Sequence, residues 1–339
     1  MEGDGRAISV QRWQCGACRH TFLDAPKFSE EIKTQAILRY FDAEASYRSV
    51  GRDLGVKADT VWGWVQELGL QCKGFAQVAS ELRPRWGGYL LADGRTVRIR
   101  GVKHALCLTA DVGTQDVPQA GLFAHEDFRA WQATFLDIKA LGYPLKGLIL
   151  DEDPALWAAA GTVFPNAPIQ VCVVHVLRSL GRWLHFTGHI PIIIHRPFLN
   201  LCHKLCYAAN RSHLAHLPAE WQEARPQFLA EGLQDAVALF EARFPFLWTH
   251  LDRPGMPRNT NVAEGIIRQL GRKLDDTDGF QTVGTAWATI QLLLMRYRFH
   301  PFSCSRQRWH NGHSPLALAG VDTKRLNWVH FSRRSPTAS

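Results

Sequence analysis

One segment limits the fold more than any other. KGLILD, residues 146–151, is a continuous apolar run that stops on an aspartate. A run without polar alternation suits a strand buried on both faces, as in the parallel part of a sheet covered by helices. Its neighbours supply the helices. HEDFRAWQATFLDIKALG, residues 125–142, places Phe128, Trp131, Phe135, Ile138 and Leu141 on one helical face. PALWAAAGTVF, residues 154–164, reads as a helix with Pro154 near its first turn. PIQVCVVHV, residues 168–176, reads as another apolar strand. Upstream, GYLLADGRTVRIRG and KHALCLTADVG read as two strands with a D-G turn signal nearby, and PQAGLFA, residues 118–124, as a third.

The expected order is therefore three strands, helix, strand, helix, strand. With right-handed crossovers it gives a mixed sheet, its first three strands antiparallel and its last two joined in parallel. This order resembles an RNase H-like core, in which the first and fourth strands are neighbours. The expected fold class is α/β: an RNase H-like mixed sheet with an all-helical insertion, preceded by an α-helical helix-turn-helix domain. The first part of the core spans 88–176, after a linker marked by Pro84 and RPRWGG. Residues 177–257 are helical by periodicity, rich in His, Arg and aromatics, and form the insertion. Residues 258–320 return to the core, with a long apolar helix within 279–302, and 321–339 form a loosely ordered tail.

Residues 1–27 carry one C-x-x-C, Cys15–Cys18, within QRWQCGACRHTF. This is half of a zinc ribbon, and tetrahedral zinc needs four ligands. No second pair follows nearby, His20 adds one donor, and Cys72 is remote in sequence. The segment is a zinc knuckle held by Cys15 and Cys18, or a degenerate knuckle without metal. Residues 28–83 form the helix-turn-helix domain. FSEEIKTQAILRYFD, 28–42, has helical spacing after a Ser cap signal. YRSVGRDL, 47–54, is a second short helix, and Gly55-Val56 the turn. KADTVWGWVQELG, 57–69, is a third, with Asp59 as its cap and Gly69 as its stop. Val50, Leu54, Val56, Val61, Val65 and Leu68 are the expected buried set. Lys57, Thr60, Trp62 and Gln66 then point outward, toward a DNA major groove.

The net charge of +8 suits a polyanionic partner. Eight cysteines show no disulfide framework, which fits a reducing compartment. The opening MEGDGRAISVQRW is too polar for a signal peptide. Apolar stretches such as HIPIIIHRPFLNL, 189–201, are broken by Pro, His and Arg and are too short to span a bilayer. The expectation is a cytoplasmic protein, nucleoid-associated in a bacterium, with no membrane partner.

Three acidic residues carry the chemistry. Asp93 ends the apolar run YLLAD, and Asp151 ends GLILD. Glu264 lies in RNTNVAEGIIRQLGRKL, residues 258–274. Carboxylates at strand ends are held rigidly yet project, and three brought together make a hard-oxygen site suited to Mg²⁺. Such a site suits phosphoryl transfer on nucleic acid. Asp111, at the end of the next strand, rivals Asp93. Asp153, with Glu152 between, rivals Asp151. Arg268 and Arg272, four apart on the Glu264 helix, share a face that either meets phosphate or is simply solvated. Trp248, in LWTHL, either stacks on an unpaired base or packs in a helical core.

Two motifs carry a family resemblance. FPNAPIQVCVVHVLR, residues 164–178, is similar to the stretch after the second acid in Mutator-like element transposases and their bacterial insertion-sequence relatives, with their C-x-x-H matched by Cys172 and His175. RNTNVAEGIIRQLGRKL resembles their third-acid motif, a T-N pair before A-E-G, and Gly279-Phe280 fits the following G-F. The resemblance runs from Cys15 to about residue 302; the second half of the zinc ribbon is missing. It implies a DDE transposase: two Mg²⁺ ions, for which Mn²⁺ could stand in, held by Asp93, Asp151 and Glu264. It places His175 beside the site, bonding the scissile region or supporting an acidic ligand, and Cys172 in packing. It also implies a homodimer on double-stranded DNA, both transposon ends and target. A helix-turn-helix regulator with a silent core, and an RNase H-like nuclease without strand transfer, are the alternatives.

Overall fold

Two serine-capped helices follow a short strand pair in the N-terminal unit. The structure, a computed structural model, describes residues 12–19, 21–23, 28–43, 45–187, 191–275, 279–305 and 307–334. The chain divides into two compact units, Met1–Leu70 and Gln71–Ser339. In the first, strands β1 (Arg12–Gln14) and β2 (Thr21–Leu23) pair antiparallel. Helix α1 (Glu30–Asp42) starts where the Ser29 hydroxyl accepts from the Ile32 N–H, and α2 (Tyr47–Leu54) where Ser46 does the same for Ser49. Gly55 then turns the chain in the left-handed conformation, φ 66°, into α3 (Ala58–Leu70). Gly51 is required here: a β-carbon would collide with the Val56 carbonyl at 2.6 Å.

Val50, Val61, Val65 and Leu68 are buried as expected, while Leu54 and Val56 are half-buried. Lys57 and Trp62 are exposed and Thr60 is half-exposed. Gln66 is a correction: it is buried, not outward-facing. Helix α1 packs along α3. Phe28, just before α1, packs edge-on against Trp64, and Lys33 reaches Glu67. Asp59 lies inside the first turn of α3, not at its cap.

The second unit opens with α4 (Phe75–Leu82) and a five-stranded sheet. Its strands are β3 (Tyr89–Ile99), β4 (Val102–Asp111), β5 (Ala120–Phe123), β6 (Gly147–Leu150) and β7 (Ile169–Val171), in the spatial order β5-β4-β3-β6-β7. The first three pair antiparallel; β3–β6 and β6–β7 pair parallel. This is the RNase H-like mixed sheet that the strand order called for. Every residue of β6 is buried, as its unbroken apolar run requires. Helices α5 (Phe128–Ala140) and α6 (Pro154–Val163) cover one face, packing Trp131, Phe135, Ile138 and Leu156 against Leu90, Ala92, Ala105 and Cys107.

β7 is shorter than the apolar run suggested. It stops at Val171, and α7 (Val173–Arg182) starts two residues later, so C-x-x-H lies at a helix start and not within a strand. Helices α8 (Ile192–Cys206), α9 (Arg211–Leu214), α10 (Leu217–Ala230), α11 (Gln234–Glu241) and α12 (Phe244–Leu247) follow, with no strand among the described residues of 177–257. They have their own core around Phe198, Trp221, Phe228 and Phe240. Buried Gln170 ties this core to the sheet: its Nε2 donates to the Leu247 carbonyl at 2.9 Å and its Oε1 accepts from the His250 N–H at 3.0 Å. Helices α13 (Asn261–Asp275) and α14 (Val283–Phe299) follow, α13 packing on β3 and β4, and then α15 (Pro315–Leu318) and α16 (Trp328–Ser332). Helix α16 buries Trp328 and Val329 and its Ser332 carbonyl accepts from Lys73 N–H, so this part of 321–339 is not the loose tail expected. Among the described residues, no helix is long and apolar enough to cross a membrane.

One buried ion pair fastens α14. Arg298 Nε and a terminal nitrogen donate to the two oxygens of Asp116 at 2.7 and 2.8 Å, and Trp86 Nε1 adds a third bond at 2.9 Å. Both charged groups are fully buried. Removing one leaves the other without its counter-charge, which costs about 3–5 kcal/mol. Arg298→Met is expected to lose about that much in urea unfolding, and Arg298→Met with Asp116→Leu to recover most of it.

Candidate active site

The register of β3 against β6 aligns the first two acids. Leu91 pairs with Ile149. Two residues further on, the same register sets Asp93 beside Asp151, on strands spaced about 4.8 Å apart. Asp93 is mid-strand, which differs from the strand-end position read from its sequence. The ladder to β4 continues through Asp93–Leu108 and Gly94–Cys107, so the Asp-Gly pair makes no turn. The hairpin closes instead at Arg100-Gly101.

The rival acids have structural work. Asp111 is fully buried and accepts from the N–H groups of Gly87, Gly88 and Thr114, the Thr114 hydroxyl and the Tyr143 hydroxyl. Asp153 caps α6, accepting from Leu156 N–H at 2.9 Å. Glu152 pairs with Arg243 at 2.8 Å. Asp151 accepts one bond, from the Asp153 N–H at 3.0 Å, and keeps its second oxygen for other partners.

Glu264 comes from the first turn of α13, and the segment before it is stitched to the start of α7. Val173 N–H donates to the Arg258 carbonyl at 3.0 Å. Buried Thr260 gives both its N–H and its hydroxyl to Cys172 Sγ, at 3.4 Å each. The T-N-x-A-E-G and C-x-x-H motifs thus touch directly. From α7, His175 Nε2 lies 3.6 Å and an Arg178 nitrogen 3.3 Å from Glu264 Oε1.

The electrostatics follow from this crowding. Burial, then the neighbouring Asp151 carboxylate, push Asp93 up to about 7, against the pull of His175 and the Gly94 N–H. Burial likewise raises Asp151, with the Asp153 N–H and His175 opposing. His175 rises to about 9, chiefly through the Cys172 side chain and then through the Asp151 and Asp93 charges. Burial disfavours the Cys172 thiolate, but His175 and Thr260 outweigh it and hold that thiol below its usual value. The site is therefore short of positive charge around Asp93 and Asp151, and imidazolium His175 meets part of the deficit.

Carboxylates from two strands and a helix are the donor chemistry a hard divalent cation takes, and such a cation would relieve the repulsion that raises Asp93. Among the described residues, no three His, Cys, Asp or Glu side chains already converge as a finished metal cage. In the N-terminal unit Cys15 and Cys18 sit between β1 and β2. Amides of Cys18 and Ala17 bond the Cys15 sulfur and lower its pKa. That is two donors of the four that tetrahedral zinc needs; His20 lies outside the described residues. Cys72 is buried, its thiol pushed up to about 12 by burial.

Arg268 and Arg272 are exposed, one and two turns along α13 from Glu264. Trp248 is packed instead of presented: its indole N–H donates to the Leu205 carbonyl at 2.9 Å and its ring lies on Phe244. Two groups went unnoticed in the sequence. Arg178 was signalled only by its spacing, one helical turn beyond His175. Glu126 rests its carboxylate where a β-carbon of Gly94 would be, and burial together with Asp151 raises its pKa.

No protein-family model matches the chain, and no curated protein matches it. Solved structures with a similar chain trace include the HTLV-2 integrase catalytic core domain in complex with magnesium, 13% identical over 37% of this chain and 89% of that one, TM-score 0.23. A simian T-cell lymphotropic virus intasome in complex with the PP2A regulatory subunit B56 gamma is 10% identical over 52% and 69%, TM-score 0.23. The Mos1 transposase paired-end complex with left transposon end is 13% identical over 61% and 80%, TM-score 0.19. Similarity at this level leaves the strand order and the site geometry to carry any functional reading.

The raised Asp93 pKa has a thermodynamic sign. Its folded value of about 7 exceeds the ordinary 3.8, so the folded state binds the extra proton and stability falls as pH rises between the two. His175 works the other way in position: its stabilisation is complete below 6.5 and is lost as pH rises through about 9. In metal-free buffer at pH 8, Asp93→Asn is expected to stabilise the fold by about 2 kcal/mol, the full shift being discounted for partial exposure. It should also flatten the fall between pH 4 and 7. Equal urea midpoints for variant and wild type at pH 8 would contradict the assignment.

Proposed function

We propose that the chain is a DDE-type transposase that binds element-end DNA and catalyses Mg²⁺-dependent phosphodiester cleavage and strand transfer. What supports this reading is the register that sets Asp93 beside Asp151, the placing of His175 and Arg178 against Glu264, and the charges of Asp151, His175 and Glu264 all acting on Asp93. Asp93, Asp151 and Glu264 would hold the two ions. When bound, Mg²⁺ would activate a water or DNA 3′-hydroxyl and stabilise the leaving 3′-oxygen.

The chain's own residues do the rest. His175 and Arg178 hold the Glu264 carboxylate in place, and exposed Arg178, Arg268 and Arg272 offer phosphate contacts beside it. The N-terminal unit supplies a DNA-contacting face from Lys57, Thr60 and Trp62 on α3, with Gln66 withdrawn into the core. Two element ends must be held together, so a homodimer on DNA belongs to the proposal, as does a cytoplasmic location.

Labelled DNA carrying the element's ends, incubated with protein and Mg²⁺, should give joined products. Asp93→Ala, Asp151→Ala and Glu264→Ala should each lower cleavage and joining to background while DNA binding persists. Full activity in any one of them would remove that residue from the site. Cutting without joining would make the protein a nuclease, and binding alone a regulator. Independently of activity, Mg²⁺ should raise the melting temperature of wild type and not of the Asp93→Asn, Asp151→Asn double variant.

A further inference from the structure

A group of exposed cations without ion-pair partners among the described residues lies away from the carboxylates. A cleft of about 790 Å³ opens between the tip of the β3–β4 hairpin and the end of α13, lined by Arg95, Arg98, Arg100, Lys103 and Phe280. Among the described residues, Asp275 is the carboxylate lining it, and it is committed to Arg95 at 2.6 Å. Arg98, Arg100 and Lys103 are exposed and have no ion-pair partner among the described residues.

Two features of this hairpin work against the stability of the fold. Arg98 and Lys103 are directly opposite each other across the strand pair, where like charges repel. Arg100 holds a left-handed conformation, φ 49°, before Gly101 at φ 77°. That two-residue turn normally takes Asn or Asp at its first position. Both costs fall on one patch, and the patch is rigid. Phe280 N–H donates to the Arg98 carbonyl at 3.4 Å, and Arg100 N–H to the Phe280 carbonyl at 2.8 Å, so the cations stand on a fixed backbone. Helix α13 carries exposed Arg268 and Arg272 between Glu264 and Asp275, which lines the cleft.

We infer that this cleft is a second phosphate-backbone site that grips double-stranded DNA beyond the reacting phosphate. The inference rests on the transposase reading and extends it. Arg98 to Arg100 lie five to seven residues along β3 from Asp93, roughly 16–23 Å at the usual strand rise, so a duplex seated at the carboxylates reaches them along its flank. Contacts of this kind read charge, not sequence.

The test uses the full chain, without Mg²⁺, and a fluorescent 20-base-pair duplex of arbitrary sequence, with binding measured across a salt series. Arg98→Gln/Arg100→Asn/Lys103→Gln is expected to weaken binding at least tenfold at low salt and to reduce the slope of log affinity against log salt by roughly 2–3. Lys324→Gln/Arg325→Gln, which removes exposed cations elsewhere, is expected to leave the slope unchanged. Arg100→Asn alone is expected to raise the melting temperature while lowering affinity, which a merely unfolded variant would not do. A triple variant with the wild-type slope and affinity overturns the cleft inference and leaves the transposase reading standing. Wild type that binds no duplex at any salt overturns both.

Discussion

The parallel pairing of β3 with β6 is the constraint on which the candidate site depends. Leu91 opposite Ile149 sets the register that brings Asp93 and Asp151 side by side. Because side chains alternate along a strand, a slip of one residue would send one carboxylate to the opposite face. Burial enforces the register: Leu90, Leu91 and all four residues of β6 are inaccessible, so any slip would also misplace their apolar side chains. The same packing that stabilises the sheet therefore forces two acids together that would otherwise separate.

The surrounding residues are arranged to tolerate that strain. Cations arrive from a single helix, α7, as His175 and Arg178, and they arrive at the right height because α7 begins directly after β7. The early start of that helix is itself held by Cys172 and Thr260. Neutral contacts thus position charged ones. The acids that have caps and buried partners, Asp111 and Asp153, are those whose loss would be felt by the fold; Asp93 is one whose replacement should relieve it.

Much of this was legible in the chain. The unbroken apolar run of β6 identified a buried central strand, and the strand and helix order led to the observed sheet. The two motifs pointed to Glu264 and His175, which the structure brings within 3.6 Å. What was missed has physical causes. VCVVHV is apolar but for His175, and periodicity cannot separate a buried strand from a buried helix over so few residues. The Asp-Gly dipeptide is a turn signal that a continuous ladder overrides. Gln66 lies on a helix face that pattern alone leaves open, and tertiary packing buries it. Arg178 and Glu126 became visible only when separate elements met.

The stitch between Thr260 and Cys172 has a consequence for the helices between them. Those two residues are 88 apart in sequence yet in contact, so everything from α8 to α12 hangs as a loop closed at its base. The entropy of closing such a loop grows only slowly with its length, each doubling costing about 0.6 kcal/mol. The helical body can therefore lengthen, shrink or exchange its surface while Glu264 stays where it is. Its five helices are free to diversify, and the sheet beneath them is not.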